Sequence, residues 1–323
     1  MLHILRYLKQ SHFFIFLFLF LSACGESQQE RLTISSSPWP GYEPLYLARD
    51  LGYFENNVKL FELPSSDITM ESFRNGSSDI ASLTLAETLD LLQDGIKLRI
   101  LLILDISNGG DAVMAKPEIK KLSDIKGKRI SIVNTPLGLY MLNRLLDKTG
   151  LQRNEVTVFP MSETHQESFY KDDKADIVIS YDPVKSNLSS LGMHVLFDSS
   201  DIPNEIFDLL VVHEDVYQKR FNEVCGIARQ WFKTLDYIKS NNKNAVEHMG
   251  KRLGVDASTY HEMMKGLIIP SMQDNNKLVG GDKPGLLGPA KKLAKIMLKE
   301  KQLFKNIDAS VALDKKFMEC VNK

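Results

Sequence analysis

The sequence predicts an α/β fold with two mostly parallel sheets, each flanked by helices. Short apolar strands alternate with helices of about ten residues through residues 32–106 and again through residues 129–197, a pattern typical of βαβ units. The pair Gly109-Gly110 separates the two series. From Glu214 onward the pattern changes to amphipathic helices with no strands between them. We therefore expect two α/β lobes, with the last helices packed on one of them.

The first series is predicted to contain four strands and three helices. Gly52, the pair Asn75-Gly76 and Gly95 end the three helices, since glycine and asparagine favour the conformation found after a helix C-terminus. The run 98–106 is almost entirely apolar, as expected for a strand that is buried on both faces. The predicted strands are 32–36, 58–63, 80–83 and 98–106, and the predicted helices are 42–51, 68–74 and 85–92.

The second series repeats this alternation, and the C-terminal region departs from it. Gly150 and Gly192 end two of its helices. The predicted strands are 129–133, 156–159, 177–180 and 194–197, with helices at 137–148, 162–170 and 184–191. The C-terminal helices are predicted at 214–241, 245–253, 258–266 and 289–301.

The N-terminal 23 residues are organised like a cleaved secretory signal. A basic start precedes the apolar run 13–21, which is shorter than the roughly 20 residues that a spanning helix needs. Leu21-Ser22-Ala23-Cys24 resembles the bacterial lipobox, which implies acylation of Cys24 and removal of residues 1–23. The alternative is an ordinary signal peptide with an incidental cysteine. Residues 24–30 are polar and are predicted to form a tether, so that the protein is extracytoplasmic and anchored to the membrane by lipid alone.

Composition excludes several classes of protein. The formal net charge of -1, with 43% hydrophobic and 25% charged residues, is ordinary for a soluble domain and argues against a nucleic-acid binder. Apart from Cys24 the cysteines are Cys225 and Cys320, and pairing and free thiols both stay open. No spacing indicates a zinc site, a nucleophile elbow, a Walker loop or a dinucleotide-binding loop. We therefore expect no catalytic residue, no metal, no cofactor and a monomer.

The candidate ligand site lies where the predicted strands end. Open parallel sheets bind ligands at the carboxyl ends of their strands, where loops lead into helix N-termini. The loop residues there are polar, aromatic or small, and the prolines on either side of Trp39 hold it stiffly. The alternative for Trp39, Tyr42 and Tyr181 is packing in a core. The candidate ligand-binding residues are Trp39, Gly41, Tyr42, Leu83, Thr84, Asp105, Ser107, Thr135, Pro136, Leu137, Tyr181, Asp182 and Asp208.

Several segments, taken in order, resemble one family. They are Ser37-Pro38-Trp39-Pro40-Gly41-Tyr42, residues 47–54, residues 105–112, residues 122–129, Tyr181-Asp182-Pro183 and residues 207–212. Together they resemble the substrate-binding proteins of nitrate, taurine, sulfonate and thiamine-precursor ABC importers. The resemblance implies a two-lobed, hinged protein of the type II periplasmic class. Lobe one would comprise residues 31–110 and 206–323 and lobe two residues 111–205, with an ABC permease and ATPase as partners.

The chemistry of the candidate residues favours one class of ligand. Asp105, Asp182, Asp208 and Glu87 make the expected cleft electronegative, and aromatic faces are added by Trp39, Tyr42, Tyr140 and Tyr181. This set suits an amine-bearing solute or a nitrogen heterocycle. A sulfonate or nitrate held by the helix N-termini at Thr135-Pro136 and near Thr84 is the alternative.

Two other functions share the predicted fold. One is a sensory lipoprotein that partners a membrane kinase or cyclase, which the sequence does not separate from an importer component. The other is an enzyme similar to pyrimidine-precursor synthases, from which this chain departs because it lacks their dense cysteine motif.

Overall fold

The computed structural model describes residues 30–54 and 57–323. The predicted signal sequence 1–23, the acylation site Cys24 and all but the last residue of the tether 24–30 lie outside the described residues. The strands are β1 Leu32–Ser36, β2 Val58–Glu62, β3 Ile80–Thr84, β4 Leu98–Ser107, β5 Ala112–Ala115, β6 Arg129–Val133, β7 Thr157–Met161, β8 Ile177–Ser180, β9 His194–Asp198, β10 Phe207–His213 and β11 Leu267–Ile268. The helices are α1 Glu43–Asp50, α2 Ser66–Arg74, α3 Leu85–Gln93, α4 Pro136–Thr149, α5 Glu163–Lys171, α6 Val184–Ser190, α7 Glu214–Lys219, α8 Phe221–Ser240, α9 Asn242–Arg252, α10 Ala257–Lys265, α11 Met272–Leu278, α12 Leu287–Lys299 and α13 Lys315–Val321.

The strands form two sheets, which confirms the α/β prediction. Sheet A has the strand order β11-β4-β10-β3-β1-β2, and sheet B has the order β7-β6-β8-β5-β9. Most strands run in one direction within their sheet, while β5, β10 and β11 run the opposite way. The chain passes from sheet A to sheet B between β4 and β5 and returns between β9 and β10.

Strand β10 is the element that organises the middle of sheet A. It inserts between β3 and β4 and pairs antiparallel with both. Its register places Asp208 opposite Thr84 on one side and opposite Asp105 on the other. The strand is buried along six of its seven residues, Asp208 among them. A segment from far along the chain thus brings a carboxylate between two loops of the first series.

The sequence prediction locates most elements within about two residues, but it misses helices α11 and α13 and is wrong at four further places. The predicted helix 214–241 is interrupted at Arg220, which leaves helical geometry with φ -127° and ψ 31°. Strands β5 and β10 were not predicted. The expectation that no strand lies among the C-terminal helices is also wrong, because β11 pairs with the end of β4. A two-residue strand is too short to show a period of two, so the sequence carries no signal for it.

The C-terminal helices pack on sheet A and complete its edge. Strand β11 covers only the end of β4. Farther along, the side chain of the buried Asn275 on α11 accepts a hydrogen bond from Ile103 N at 2.8 Å and donates one to Ile103 O at 3.1 Å. An amide side chain here satisfies backbone groups that an edge strand would otherwise expose.

Two further links hold these helices in place. Cys225 on α8 and Cys320 on α13 form a disulfide that spans 95 residues of sequence. Arg252, at the end of α9, binds the buried Glu43 and also Glu62, and its guanidinium lies 3.5 Å from the centre of the Tyr46 ring. Within the described parts of the chain, no helix is long and apolar enough to cross a membrane.

Candidate functional site

A cavity lies between the two sheets at the ends of their strands. The space that no atom fills amounts to about 350 Å³, with the open solvent at its mouth included. Sheet A and its loops and helices contribute most of the wall, and sheet B contributes Asp111, Leu137 and Tyr181. The wall consists of Ser37, Trp39, Tyr42, Ser66, Ser82, Thr84, Glu87, Asp111, Leu137, Tyr181 and Asp208.

Trp39 forms an aromatic wall that two glycines make possible. Its indole Nε1 donates to Asp105 Oδ2 at 2.9 Å, and its ring meets the edge of Tyr181 at 5.6 Å between ring centres. A Cβ on Gly41 would lie 1.9 Å from Asp105 Oδ2, and one on Gly110 would lie 2.7 Å from Trp39 Cη2. Both positions therefore need glycine, so that the backbone can approach the indole and its carboxylate partner.

Asp208 places a second carboxylate beside Asp105. The register of β10 sets the two residues opposite each other, and the hydroxyl of Tyr42 donates to Asp208 Oδ1. The other oxygen of Asp105, Oδ1, is buried and has no partner among the described residues. The floor of the cavity thus carries two carboxyl groups side by side.

Glu87 brings negative charge to the N-terminus of α3. Thr84 and Glu87 form a capping box, in which Glu87 Oε2 accepts from Thr84 N at 2.8 Å and Thr84 Oγ1 accepts from Glu87 N at 3.3 Å. This arrangement satisfies free N–H groups of the helix. The side chain of Glu87 is 2% exposed and lines the cavity. A helix terminus already neutralised by a carboxylate is a poor site for an anion.

Tyr181 connects the two sides of the cavity. Its hydroxyl lies 2.7 Å from Glu163 Oε1 and 2.9 Å from Ser66 Oγ. Glu163 Oε1 also accepts from the backbone N of Ser66, the first residue of α2, at 2.7 Å. Helix α2 follows a strand of sheet A, whereas Tyr181 and Glu163 follow strands of sheet B. These contacts join the two halves across the cavity.

The site is strongly acidic. Glu87, Asp105, Asp111 and Asp208, here called the carboxylate cluster, are each at most 4% exposed. Burial raises the pKa of Glu87 to about 7 and that of Asp111 to about 6. Burial and the neighbouring carboxylates also raise the pKa values of Asp105 and Asp208. The ammonium group of Lys185 lies 3.0 Å from Asp182 Oδ2. Its positive charge offsets part of the rise in the pKa of Asp111.

These raised pKa values predict how stability depends on pH. Between the ordinary carboxyl pKa near 4 and the raised values near 7, the folded protein holds more protons than the unfolded chain, so the free energy of unfolding falls as pH rises. We expect urea unfolding in amine-free buffer to give a lower midpoint at pH 7.5 than at pH 5.5. The variant Asp208→Asn should show a smaller decrease. A wild-type midpoint that rises over this interval would contradict the assignment.

The structure brings six of the thirteen predicted residues into the cavity wall: Trp39, Tyr42, Thr84, Leu137, Tyr181 and Asp208. The other seven lie around it. Gly41 and Asp105 support Trp39, and Leu83 packs in the core. Of the remaining four, Ser107 forms a hydrogen bond with Ser199, and Thr135 caps α4. The carbonyl of Pro136 accepts a hydrogen bond from Gln302, and the carboxylate of Asp182 accepts one from Ser186.

The wall also contains residues outside that predicted set. They are Ser37, Ser66, Ser82, Glu87 and Asp111. Glu87 carried a local signal, because Thr84 and a glutamate three residues later form the capping-box pattern. Tyr140, expected among the cleft aromatics, instead bonds Glu205. Glu205 lies in the crossing segment between β9 and β10, so no local sequence pattern predicts this contact of Tyr140.

Solved structures share this architecture. The alkanesulfonate-binding protein SsuA from Xanthomonas axonopodis pv. citri, solved with MOPS, superposes with a TM-score of 0.73 at 15% identity, covering 87% of this chain and 97% of that one. SsuA from Escherichia coli, described as a periplasmic aliphatic sulphonate binding protein, gives 0.72 at 15% identity, covering 90% and 99%. The desulfurization enzyme DszB gives 0.65 at 15% identity, covering 90% and 99%. No curated protein sequence matches the chain.

The two sheets, the double crossing between them and the cavity at their strand ends define the class. The fold is that of the type II periplasmic binding proteins, as the resemblance implied. A family model described as NMT1/THI5 like matches residues 39–245. The chain belongs to the NMT1/THI5-like family.

Proposed function

We propose that this protein is an extracytoplasmic solute-binding component of an ABC importer and that it captures a small organic cation, either an amine or a protonated nitrogen heterocycle. The observation that carries the ligand class is the carboxylate cluster around the cavity. Its members are buried, and the aromatic faces of Trp39 and Tyr181 lie beside them. A bound cation would compensate the buried negative charge and replace the water that the carboxylates lose.

The alternative ligand is an anion such as the sulfonates named for the SsuA proteins. Two helix N-termini were the candidate anion sites. That of α3 is occupied by Glu87, and that of α4 is capped by the side chain of Thr135. The pKa of Asp111, about 6, leaves it ionised at pH 7.5, and its negative charge in the wall would repel an anion. These contacts favour the cation.

Capture would proceed by closure of two lobes built on sheets A and B. The crossing segments meet at Ser107 and Ser199, whose hydroxyl oxygens lie 2.8 Å apart, and Gly109 N donates to Ser199 Oγ at 2.6 Å. Glycine at 109, with φ 115°, gives this segment a conformation that other residues rarely adopt. We propose that the lobes hinge here and that the Tyr181–Ser66 contact forms on closure.

We further propose that Cys24 is acylated and tethers the protein outside the cytoplasm. Delivery to a permease and ATPase is favoured over a sensory role, because a solved structure of this fold, from Staphylococcus aureus, is described as the ligand binding component of an ABC-type import system. A catalytic role is disfavoured, since among the described residues the cysteines are joined to each other and offer no free thiol. The carboxylates are engaged by Trp39, Tyr42 and backbone groups.

Isothermal titration at pH 7.5 tests the ligand class. One panel contains alkylamines, amidines and aminopyrimidines, and the other contains alkanesulfonates and nitrate. We expect binding from the first panel, weakened about 10-fold to 100-fold in Asp208→Asn because a charged hydrogen bond is lost. The variant Asp215→Asn, which changes an exposed carboxylate on α7, is the matched control and should retain affinity. Binding confined to the anion panel would refute the cation assignment.

A further inference from the structure

The end of sheet A that lies away from the cavity is where the chain enters the fold. One rung of paired residues crosses the sheet near this end and consists of Ile34, Ile80, Val212 and Arg99. Leu32, the first residue of β1, lies two positions beyond that rung. The cavity lies at the opposite ends of β1 and β3. We call this end of sheet A, together with the segment 301–313 that is bound to it, the foot.

The segment 301–313 holds two apolar side chains outside the core. The backbone N of Phe304 donates to Oε1 of Gln93, at the far end of helix α3, which begins beside the cavity. Arg99 Nη1 donates to the carbonyl oxygen of Val311 at 3.1 Å. The side chains of Phe304 and Val311 are nevertheless 84% and 62% exposed. The foot thus presents apolar side chains on a backbone that the fold holds in place.

The charges beside Phe304 suit an anionic surface. Lys301 and Lys305 lie on either side of it in the chain and are exposed. Neither forms an ion pair with any residue that the structure describes. Asp308 is the acidic residue between positions 301 and 311, and its carboxylate accepts from the backbone of the following turn at 2.9 Å. The two ammonium groups are therefore available to a partner outside the protein.

The proposed anchor would keep the foot close to a membrane. Leu32 follows Cys24 by eight positions, a length of chain that spans about 29 Å at most when fully extended. Strands β1 and β4 are separated by β3 and β10, so the part of the foot beside β4 lies about 14 Å from β1 along the sheet. An acylated Cys24 would therefore hold the foot nearer to the lipid surface than the cavity.

We propose that the foot docks on the anionic lipid surface to which Cys24 anchors the protein. This inference rests on the acylation of Cys24 given under the proposed function. The Phe304 ring enters the headgroup region, and Lys301 and Lys305 bind lipid phosphates, since apolar side chains among lysines are typical of proteins that lie on a lipid surface. The tether raises the local concentration of lipid, so a contact too weak to recruit the free protein is populated.

The docked protein carries its cavity at the far end of sheet A from the lipid. This orientation leaves the cavity open to solutes that arrive from the medium. Delivery to a permease in the same membrane then requires the foot to detach. A contact made by one aromatic ring and two lysines is weak enough to allow this.

The test uses the acylated full-length mature protein, purified from membranes and reconstituted in vesicles of phosphatidylcholine and phosphatidylglycerol with brominated acyl chains. The variant Phe304→Trp places an indole at the foot, where bromine atoms quench it if it enters the bilayer. The native Trp39 and Trp231 are 4% and 0% exposed and contribute an unquenched background. We expect bromination to quench the added emission at least about twofold. Lys301→Gln or Lys305→Gln in this background should each weaken the contact about fivefold.

Leu191→Trp is the matched control. Leu191 is an exposed apolar residue after helix α6, at the end of that helix away from the cavity on the side of sheet B. An indole there should not be quenched. Equal quenching at the two positions, or none at position 304, overturns the docking. An indole at position 304 that is shielded in native membranes but unquenched in lipid vesicles also overturns it, because a membrane protein then covers the foot.

Two further measurements separate this inference from the proposed function. Mass spectrometry of the purified protein reports the acyl chains on Cys24, and their absence overturns the anchor together with the docking. Titration with the cation panel reports solute capture, which does not depend on the foot. Solute binding by Phe304→Trp with the affinity of the unmodified sequence, combined with no quenching, would leave the solute-binding role standing and refute the docking alone.

Discussion

Replacing Arg252 by methionine is expected to lower the free energy of unfolding by about 3–5 kcal/mol at pH 7.5. The guanidinium contacts both carboxylate oxygens of Glu43, which is 0% exposed, and lies over the ring of Tyr46. Burial already raises the pKa of Glu43 to about 7. Without Arg252 this carboxylate is left buried with no cation, which is the costly outcome for a buried ion pair.

Urea unfolding of Arg252→Met measures this effect. Arg49→Met is the control, since Arg49 pairs with Asp50 on the surface and its loss should cost no more than about 1 kcal/mol. The double variant Glu43→Gln with Arg252→Met should recover part of the loss, because it removes the unpaired charge. The deficit of Arg252→Met should also shrink at pH 5.5, where Glu43 takes up a proton. Equal effects of Arg252→Met and Arg49→Met would contradict this account of the pair.

Replacing Gly41 by alanine is expected to lower both ligand affinity and the stability of the protein. The new Cβ would lie 1.9 Å from Asp105 Oδ2 and 2.7 Å from Trp39 Nε1, so the hydrogen bond between these side chains is forced apart. The lost bond costs about 1–3 kcal/mol, and the crowding adds about 1–3 kcal/mol. We expect ligand affinity to fall by at least about 10-fold as the aromatic wall moves.

The Gly41→Ala experiment combines urea unfolding with titration of the tightest-binding cation. Gly226→Ala is the matched control, because Gly226 lies within a helix with no atom near the added Cβ. That change should leave binding unaffected and raise stability by about 0.5–1 kcal/mol through helix propensity. Unchanged affinity and stability in Gly41→Ala would show that the Trp39–Asp105 contact does not hold the wall.

Local patterns in the sequence predict much of this molecule. Alternation of apolar strands and helices predicts the α/β class and the main elements of both series. Trp39, Tyr42, Thr84 and Tyr181 were identified because they follow predicted strands, where parallel sheets bind ligands. The fold class is confirmed by the architecture.

The features of the site that the sequence did not predict depend on contacts between segments that lie far apart in the chain. The pairing of Asp208 with both Thr84 and Asp105 follows from insertion of β10, which lies about a hundred residues farther along the chain. Glu163 reaches Ser66 only once the two sheets face each other. Neither contact produces a periodic sequence pattern, so the burial of the carboxylate cluster could not be predicted from the sequence.

The most direct test of the central claim, that buried carboxylates receive a cation, is a count of protons released on binding. The titration at pH 7, with an alkylamine that is already fully protonated, is repeated in phosphate and in another amine-free buffer with a different ionisation enthalpy. Because the pKa values of Glu87 and Asp105 lie near this pH, a bound cation displaces protons. The account predicts release of about one proton per ligand. Proton uptake on binding, or tight binding of an alkanesulfonate with no protons released, would contradict it.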